Sequence, residues 1–146
     1  MKTLSPEERI AQLIMVAAYS NRGEEHKAEI IKLINEQKIG GLIFFQGDPA
    51  TQVKLMNTYQ AVSDVPLLGA IDAEWGLGMR LDNTISFPFQ MALGAIQDNN
   101  LIFRMVGEVA RQIKRTWLHL NFSPVVVLNN NPTNPIINNR SFWEDT

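Results

Sequence analysis

The densest group of side chains able to do chemistry is Asp72-Ala73-Glu74-Trp75-Gly76, with Arg80 a few residues on. A carboxylate accepts two sugar hydroxyls, a guanidinium donates in a fork, and an indole stacks on a pyranose face, so the residue types suit a polar, ring-shaped ligand. The same spacing allows a plainer reading, in which Asp72 caps a turn and Arg80 pairs with it. A second group follows later, Asn129-Asn130-Asn131 and then Asn138-Asn139-Arg140-Ser141-Phe142. Arg140 is either a second guanidinium for the same site or a solvated loop charge. His26 falls on an exposed helical stretch and His119 at a strand start, so neither is expected to act as a base. The run Gly76-Leu77-Gly78-Met79-Arg80 has no Gly-Lys-Ser/Thr ending and no third glycine, which argues against a phosphate loop or a dinucleotide fingerprint. No three His, Asp or Glu residues stand at metal-ligand spacing, so neither a metal nor a cofactor is expected.

Groups so far apart in sequence need a scaffold that gathers them. Ser5-Pro6-Glu7-Glu8 fits a capping box and starts a short helix. The continuous apolar run Leu13 to Ala18 then reads as a strand buried on both faces. Glu24 to Gln37 keeps Ile30, Leu33 and Ile34 on one helical face, and Ile39-Gly40-Gly41-Leu42-Ile43-Phe44-Phe45 is a second strand opened by glycines. Asp48-Pro49 caps a helix to about Ala61, and Pro66 to Ile71 is a third strand. Asp98 caps a longer helix to Arg115, followed by a fourth strand predicted over Asn121 to Val126 within the stretch His119 to Val127. Strands alternating with helices predict an α/β fold with a parallel sheet. In such folds ligands gather at the carboxyl ends of the strands, where Asp72 and the Asn-rich loop both fall.

Bulk properties narrow the partners. The 146 residues are 45% hydrophobic, enough for one globular domain with its own core. A net charge of -2 offers no basic surface for a nucleic acid backbone. The chain has no cysteine, which excludes disulfides and thiol nucleophiles but fits either a reducing or an oxidising compartment. The start lacks the apolar core of a signal peptide, and no stretch approaches the ~20 apolar residues of a membrane span, so a soluble chain is expected, with the compartment left open.

Taken in order, Ile39-Gly40-Gly41-Leu42-Ile43-Phe44-Phe45, Leu68 to Glu74 leading to Arg80, Phe87-Pro88 with Ala92-Leu93-Gly94, Asn121 to Val125, and Arg140-Ser141-Phe142 before Glu144-Asp145 resemble the N-terminal barrel of glycoside hydrolase family 3. The resemblance runs from about Leu4 to Asp145 and leans towards the β-N-acetylhexosaminidase branch. It implies a (β/α)₈ barrel of TIM type, of which residues 1–146 would be the N-terminal part, an incomplete barrel of four βα units. It further implies that Asp72 and Arg140 hold hydroxyls of a terminal β-linked sugar, with Arg80 nearby.

Members of that family are retaining enzymes with an aspartate nucleophile late in the barrel. The hexosaminidase branch adds a histidine acid/base after a Lys-His substrate-binding pair. All of these would lie beyond Thr146, so the resemblance implies no catalytic residue in this chain and no turnover by the chain alone. Val127 stands where the family usually has Asp, and Trp117 and Trp143 where it usually has Gly. Trp75 also replaces a common Gly, inside an otherwise intact motif. A β-glucosidase-type relative and a non-catalytic sugar-binding or interaction module are the alternatives. Two uncovered sheet edges predict self-association.

Overall fold

A computed structural model of the 146-residue chain describes residues 4–126, 128, 131 and 133–142. The elements follow in the order α1 Pro6–Ala11, β1 Met15–Tyr19, α2 Glu24–Lys32, β2 Gly41–Phe45, α3 Pro49–Val62, β3 Leu68–Ile71, α4 Gln90–Gly94, α5 Asn99–Arg115 and β4 Leu120–Asn121. The strands form one parallel sheet in the order β1-β2-β3-β4, the α/β architecture expected.

Local chemistry sets the boundaries. The Ser5 hydroxyl accepts from the Glu8 amide at 3.2 Å while the Glu8 carboxylate accepts from the Ser5 amide at 2.8 Å, which completes the capping box of α1. Asp48 caps α3 by accepting from the Thr51 amide at 3.0 Å, and Asp98 caps α5 by accepting from the Asn100 amide at 2.9 Å. Helix α2 ends in a wider turn over Leu33–Gln37 and then in Lys38, at φ 55. Just beyond, Gly40 packs so tightly that a Cβ would lie 1.9 Å from the Gln12 carbonyl oxygen, so only glycine fits where the α1–β1 link crosses the start of β2. At the next crossover the Gln60 amide brackets Leu67, donating to its carbonyl at 2.7 Å and accepting from its N–H at 3.0 Å. That pair fixes where β3 begins.

Register divides the sheet into two faces. Val16, Leu42 and Gly69 stand level, as do Ala18, Phe44 and Ile71. This face packs on the helices: Ala18, Leu42, Phe44 and Ile71 share one core with Ile30, Ile34, Met56 and Tyr59. On the opposite, inner face Ala17, Ile43, Ala70 and Leu120 stand level, and Leu68 and Leu120 remain 49% and 41% exposed. Tyr19 and Phe45 end their strands on that same face.

One expectation needs correction. The fourth strand is only Leu120–Asn121, not Asn121 to Val126, because β3 stops offering backbone partners at Ile71. After Phe122 donates to the Ile71 carbonyl at 2.9 Å, the Asn121 side chain accepts from the Ala73 amide at 2.9 Å and the Val125 amide turns to the Gln90 side chain at 3.0 Å. His26 falls on a largely exposed stretch, but the histidine itself is not exposed. Its ring is half-buried beside the carboxyl end of β1, with Nε2 accepting from the Tyr19 amide at 3.0 Å. Among the described residues no helix is long and apolar enough to cross a membrane.

Candidate functional site

The carboxyl ends of the first three strands bring Tyr19, Phe45 and Asp72 to one side of the sheet. Asp72 follows directly on Ile71, where β3 ends. The chain then makes a tight turn through Gly76, at φ 89, where a Cβ would come within 2.8 Å of the Phe87 ring. A single 3-10 turn, Leu77–Met79, carries Arg80 back over the site. Its Nη2 donates to Asp72 Oδ2 at 2.8 Å, and its guanidinium carbon sits 4.7 Å from the centre of the Phe45 ring. Phe45 in turn stacks on Tyr19 with centroids 5.4 Å apart, and Arg22 lies over Tyr19 at 3.7 Å. Arg80 is therefore held between a carboxylate and an aromatic face, two contacts that both favour a cation.

Arg140 reaches the same region from the far end of the chain. It lies on a short 3-10 turn, Asn138–Arg140, and forks onto Glu74: Nε donates to Oε2 at 3.0 Å and Nη2 to Oε1 at 2.6 Å. Nη1 donates to the Ile136 carbonyl at 3.0 Å. The Glu74 side chain is 3% exposed and that of Arg140 32%. The hydrogen bonds that Arg140 donates to Glu74, followed by the charges of Glu74 and Asp72, raise the Arg140 pKa above its ordinary value, against the opposing pull of burial. Asp72 and Glu74 lie two residues apart, so the Asp72–Arg80 and Glu74–Arg140 pairs stand at one mouth.

Of the residues singled out in the sequence, Asp72, Arg80 and Arg140 converge, and Arg140 is no solvated loop charge. The pairing of Asp72 with Arg80 is also real. Trp75 sets its ring edge-on to Phe89 at 4.6 Å. His119 sits at the opposite end of the sheet, with Nδ1 accepting from the Gly69 amide at 2.9 Å. Asn131 accepts from the Thr133 amide and hydroxyl within its own loop, and Asn129 and Asn130 lie outside the described residues. Sequence reasoning did not find Tyr19, Arg22 and Phe45. The available signal was position, since Tyr19 and Phe45 each close a strand at the same end as Asp72.

A parallel sheet with a carboxylate and two arginines at its strand exits is one half of the picture; the other is that residues 5–146 match the family model for the glycosyl hydrolase family 3 N terminal domain. The chain belongs to that family. Glycosyl hydrolase family 3 relatives include the Beta-hexosaminidase A of Pseudoalteromonas piscicida, 32% identical over 130 residues that cover 80% of this chain and 22% of that protein. The Beta-N-acetylglucosaminidase/beta-glucosidase of Cellulomonas fimi is 25% identical over 142 residues, covering 97% and 24% of the two chains. Among solved structures, the family 3 beta-N-acetylglucosaminidase from Paenibacillus sp. str. FPU-7 superposes with a TM-score of 0.80 at 31% identity, over 96% of this chain and 28% of that one. The four-stranded sheet is therefore part of a TIM-type barrel, and the chain spans 22 to 28% of the length of these three proteins.

Proposed function

We propose that this family 3 domain binds the terminal sugar of a β-linked N-acetylhexosamine chain, with Asp72 and Arg140 as its hydroxyl-binding residues and Arg80 holding Asp72 in place. The observation that carries the reading is the convergence of Asp72–Arg80 and Glu74–Arg140 at the strand exits of one barrel segment. Asp72 has one carboxylate oxygen bonded to Arg80, which leaves the other for a ligand hydroxyl. The names of the relatives support the sugar class.

Binding and turnover separate at this point. Retaining hydrolysis needs two groups flanking the scissile bond, about 5 to 5.5 Å apart in the two-carboxylate case. At this mouth Asp72 is engaged by Arg80, and Glu74 is buried under the Arg140 fork. Neither is placed to attack an anomeric carbon, so the 146-residue chain is expected to bind without hydrolysing. Isothermal titration with N-acetylglucosamine should show weak binding that Asp72→Ala weakens by about tenfold, the typical cost of a lost hydrogen-bond partner. An aryl β-N-acetylglucosaminide should remain uncleaved. Turnover abolished by Asp72→Ala would sink the division between binding and chemistry. The Cellulomonas relative's name includes beta-glucosidase, which favours a glucoside as the second reading; glucose binding more tightly than N-acetylglucosamine would select it.

Self-association belongs to the same proposal. The edges of β1 and β4 are open, and Leu68, Leu120 and Phe122 are exposed on or next to the sheet. Light scattering should show oligomers growing with concentration, and a monomer across the whole range would refute it.

A further inference from the structure

We infer that Glu74 is a positioning residue: its buried carboxylate fastens Arg140, and with it the loop leading to Phe142, across the mouth so that Arg140 can meet the sugar. The inference rests on the sugar-binding reading of Asp72 and Arg140, and extends it to a residue that touches no ligand. Sequence separation makes the first case. The pair joins positions 66 apart, and both oxygens of Glu74 are taken by one guanidinium. A bidentate fork fixes the plane of the guanidinium as well as its place, which a single contact would not.

The donor count makes the second. A guanidinium has five N–H groups. Arg140 donates from Nε and Nη2 to Glu74 and from Nη1 to Ile136, which leaves two N–H groups with no partner among the described residues. These two donors belong to a side chain still 32% exposed, whereas Glu74 is 3% exposed and out of a ligand's reach. Backbone packing ties the same loop down just beyond Arg140: a Cβ on Gly94 would lie 2.1 Å from the Phe142 carbonyl oxygen, and Ser141 is 1% exposed. The Phe142 backbone thus holds the loop against Gly94, and Glu74 sets which way Arg140 points.

The test uses the full chain, N-acetylglucosamine as probe, and the Arg140 Nε–Hε signal in nitrogen-15 NMR spectra. In the wild type that proton should exchange slowly, held by Glu74. Glu74→Gln should speed its exchange and weaken sugar binding by about tenfold, as expected for one lost charge-assisted contact. Glu74→Asp should recover part of the affinity. Arg140→Lys keeps the charge but cannot fork, so it should lose the same affinity, and adding Glu74→Gln to it should cost little more. Should Glu74→Gln fail to fold, the wild-type exchange rate and Arg140→Lys carry the test. Wild-type affinity in Glu74→Gln or in Arg140→Lys, with Asp72→Ala still impaired, would overturn the positioning role and leave the sugar site standing. Absence of any sugar binding by the wild type would overturn both.

Discussion

Between Met15 and Ile71 the chain lays down three strands of four or five residues, paired in continuous register and backed by helices; from Leu120 onward it contributes two paired residues and then a loop held by side chains. In the first region burial follows the apolar pattern, with Ala18, Leu42, Phe44 and Ile71 all fully enclosed. In the second, apolar character does not bring burial: Phe122 is 50% exposed and Val126 88%. A strand is buried by what stands beside it. The later segment, with no further strand against β4 among the described residues, is anchored instead at a few points, chiefly the Glu74–Arg140 fork and the Gln90–Val125 bond.

The largest effect should come from cutting that anchor. Arg140→Ala leaves Glu74 as a buried carboxylate with no cation, and breaking such a pair typically costs about 3 to 5 kcal/mol. Because the Arg140 side chain is 32% exposed, water can partly take its place, and we expect a loss near ~3 kcal/mol. Urea unfolding would measure it, and hydrogen exchange should show the added mobility concentrated after Asn121. A loss below about 1 kcal/mol would mean that the second region does not depend on the fork.

Much of this division was legible in the sequence. The βα rhythm, the caps at Ser5, Asp48 and Asp98 and the three main strands follow from local rules that hold wherever a neighbour is supplied. The fourth strand was overlong because Val125-Val126-Val127 is as apolar as a buried strand, and periodicity cannot say whether a partner stands alongside. Asp72 and Arg80 stood out by residue type and strand-end position, whereas Arg140 was brought to the same site by the family resemblance, its spacing alone fitting a solvated loop charge as well. That Glu74 is Arg140's partner was not, since no local pattern encodes a contact across 66 residues. The partial burial of the His26 ring was not legible for a similar reason: the helix pattern gives its element and exposed stretch, while the Tyr19 amide that it accepts from lies on the preceding strand. Val127 and Trp143, two of the departures from the family pattern, lie outside the described residues.

Within the sheet region, Tyr59 offers a test by pH. Its ring packs near Phe44 with centroids 6.5 Å apart, and its hydroxyl is buried with no hydrogen-bond partner among the described residues. Burial first, and the charge of Glu24 second, push its pKa up from 10.0 to about 12. The folded state therefore holds the phenol proton more tightly than the unfolded state. This contribution to stability is intact below pH 10.0 and is lost as pH rises towards about 12. Tyr59→Phe should be near neutral at pH 7, since it removes an unpaired hydroxyl, and should flatten the fall in unfolding free energy across that alkaline window. An unchanged alkaline slope would remove Tyr59 from the account.

The smallest effect lies at the junction of the two regions. Trp117 stands between α5 and β4 at φ 59, in the left-handed region where a residue with a Cβ is strained by roughly 1 to 2 kcal/mol. Its side chain is 65% exposed, so little packing offsets that strain. Trp117→Gly removes the strain but lets the unfolded chain roam more widely, which takes back about 0.4 to 1 kcal/mol. The net gain should be ~0.5 to 1 kcal/mol, read as a higher midpoint in urea with an unchanged slope. If the strain is genuine, Trp117→Ala should gain nothing comparable, because alanine keeps the Cβ that the turn disfavours. Equal gains from glycine and alanine would instead assign the benefit to loss of an exposed indole, and the junction would then carry no backbone strain.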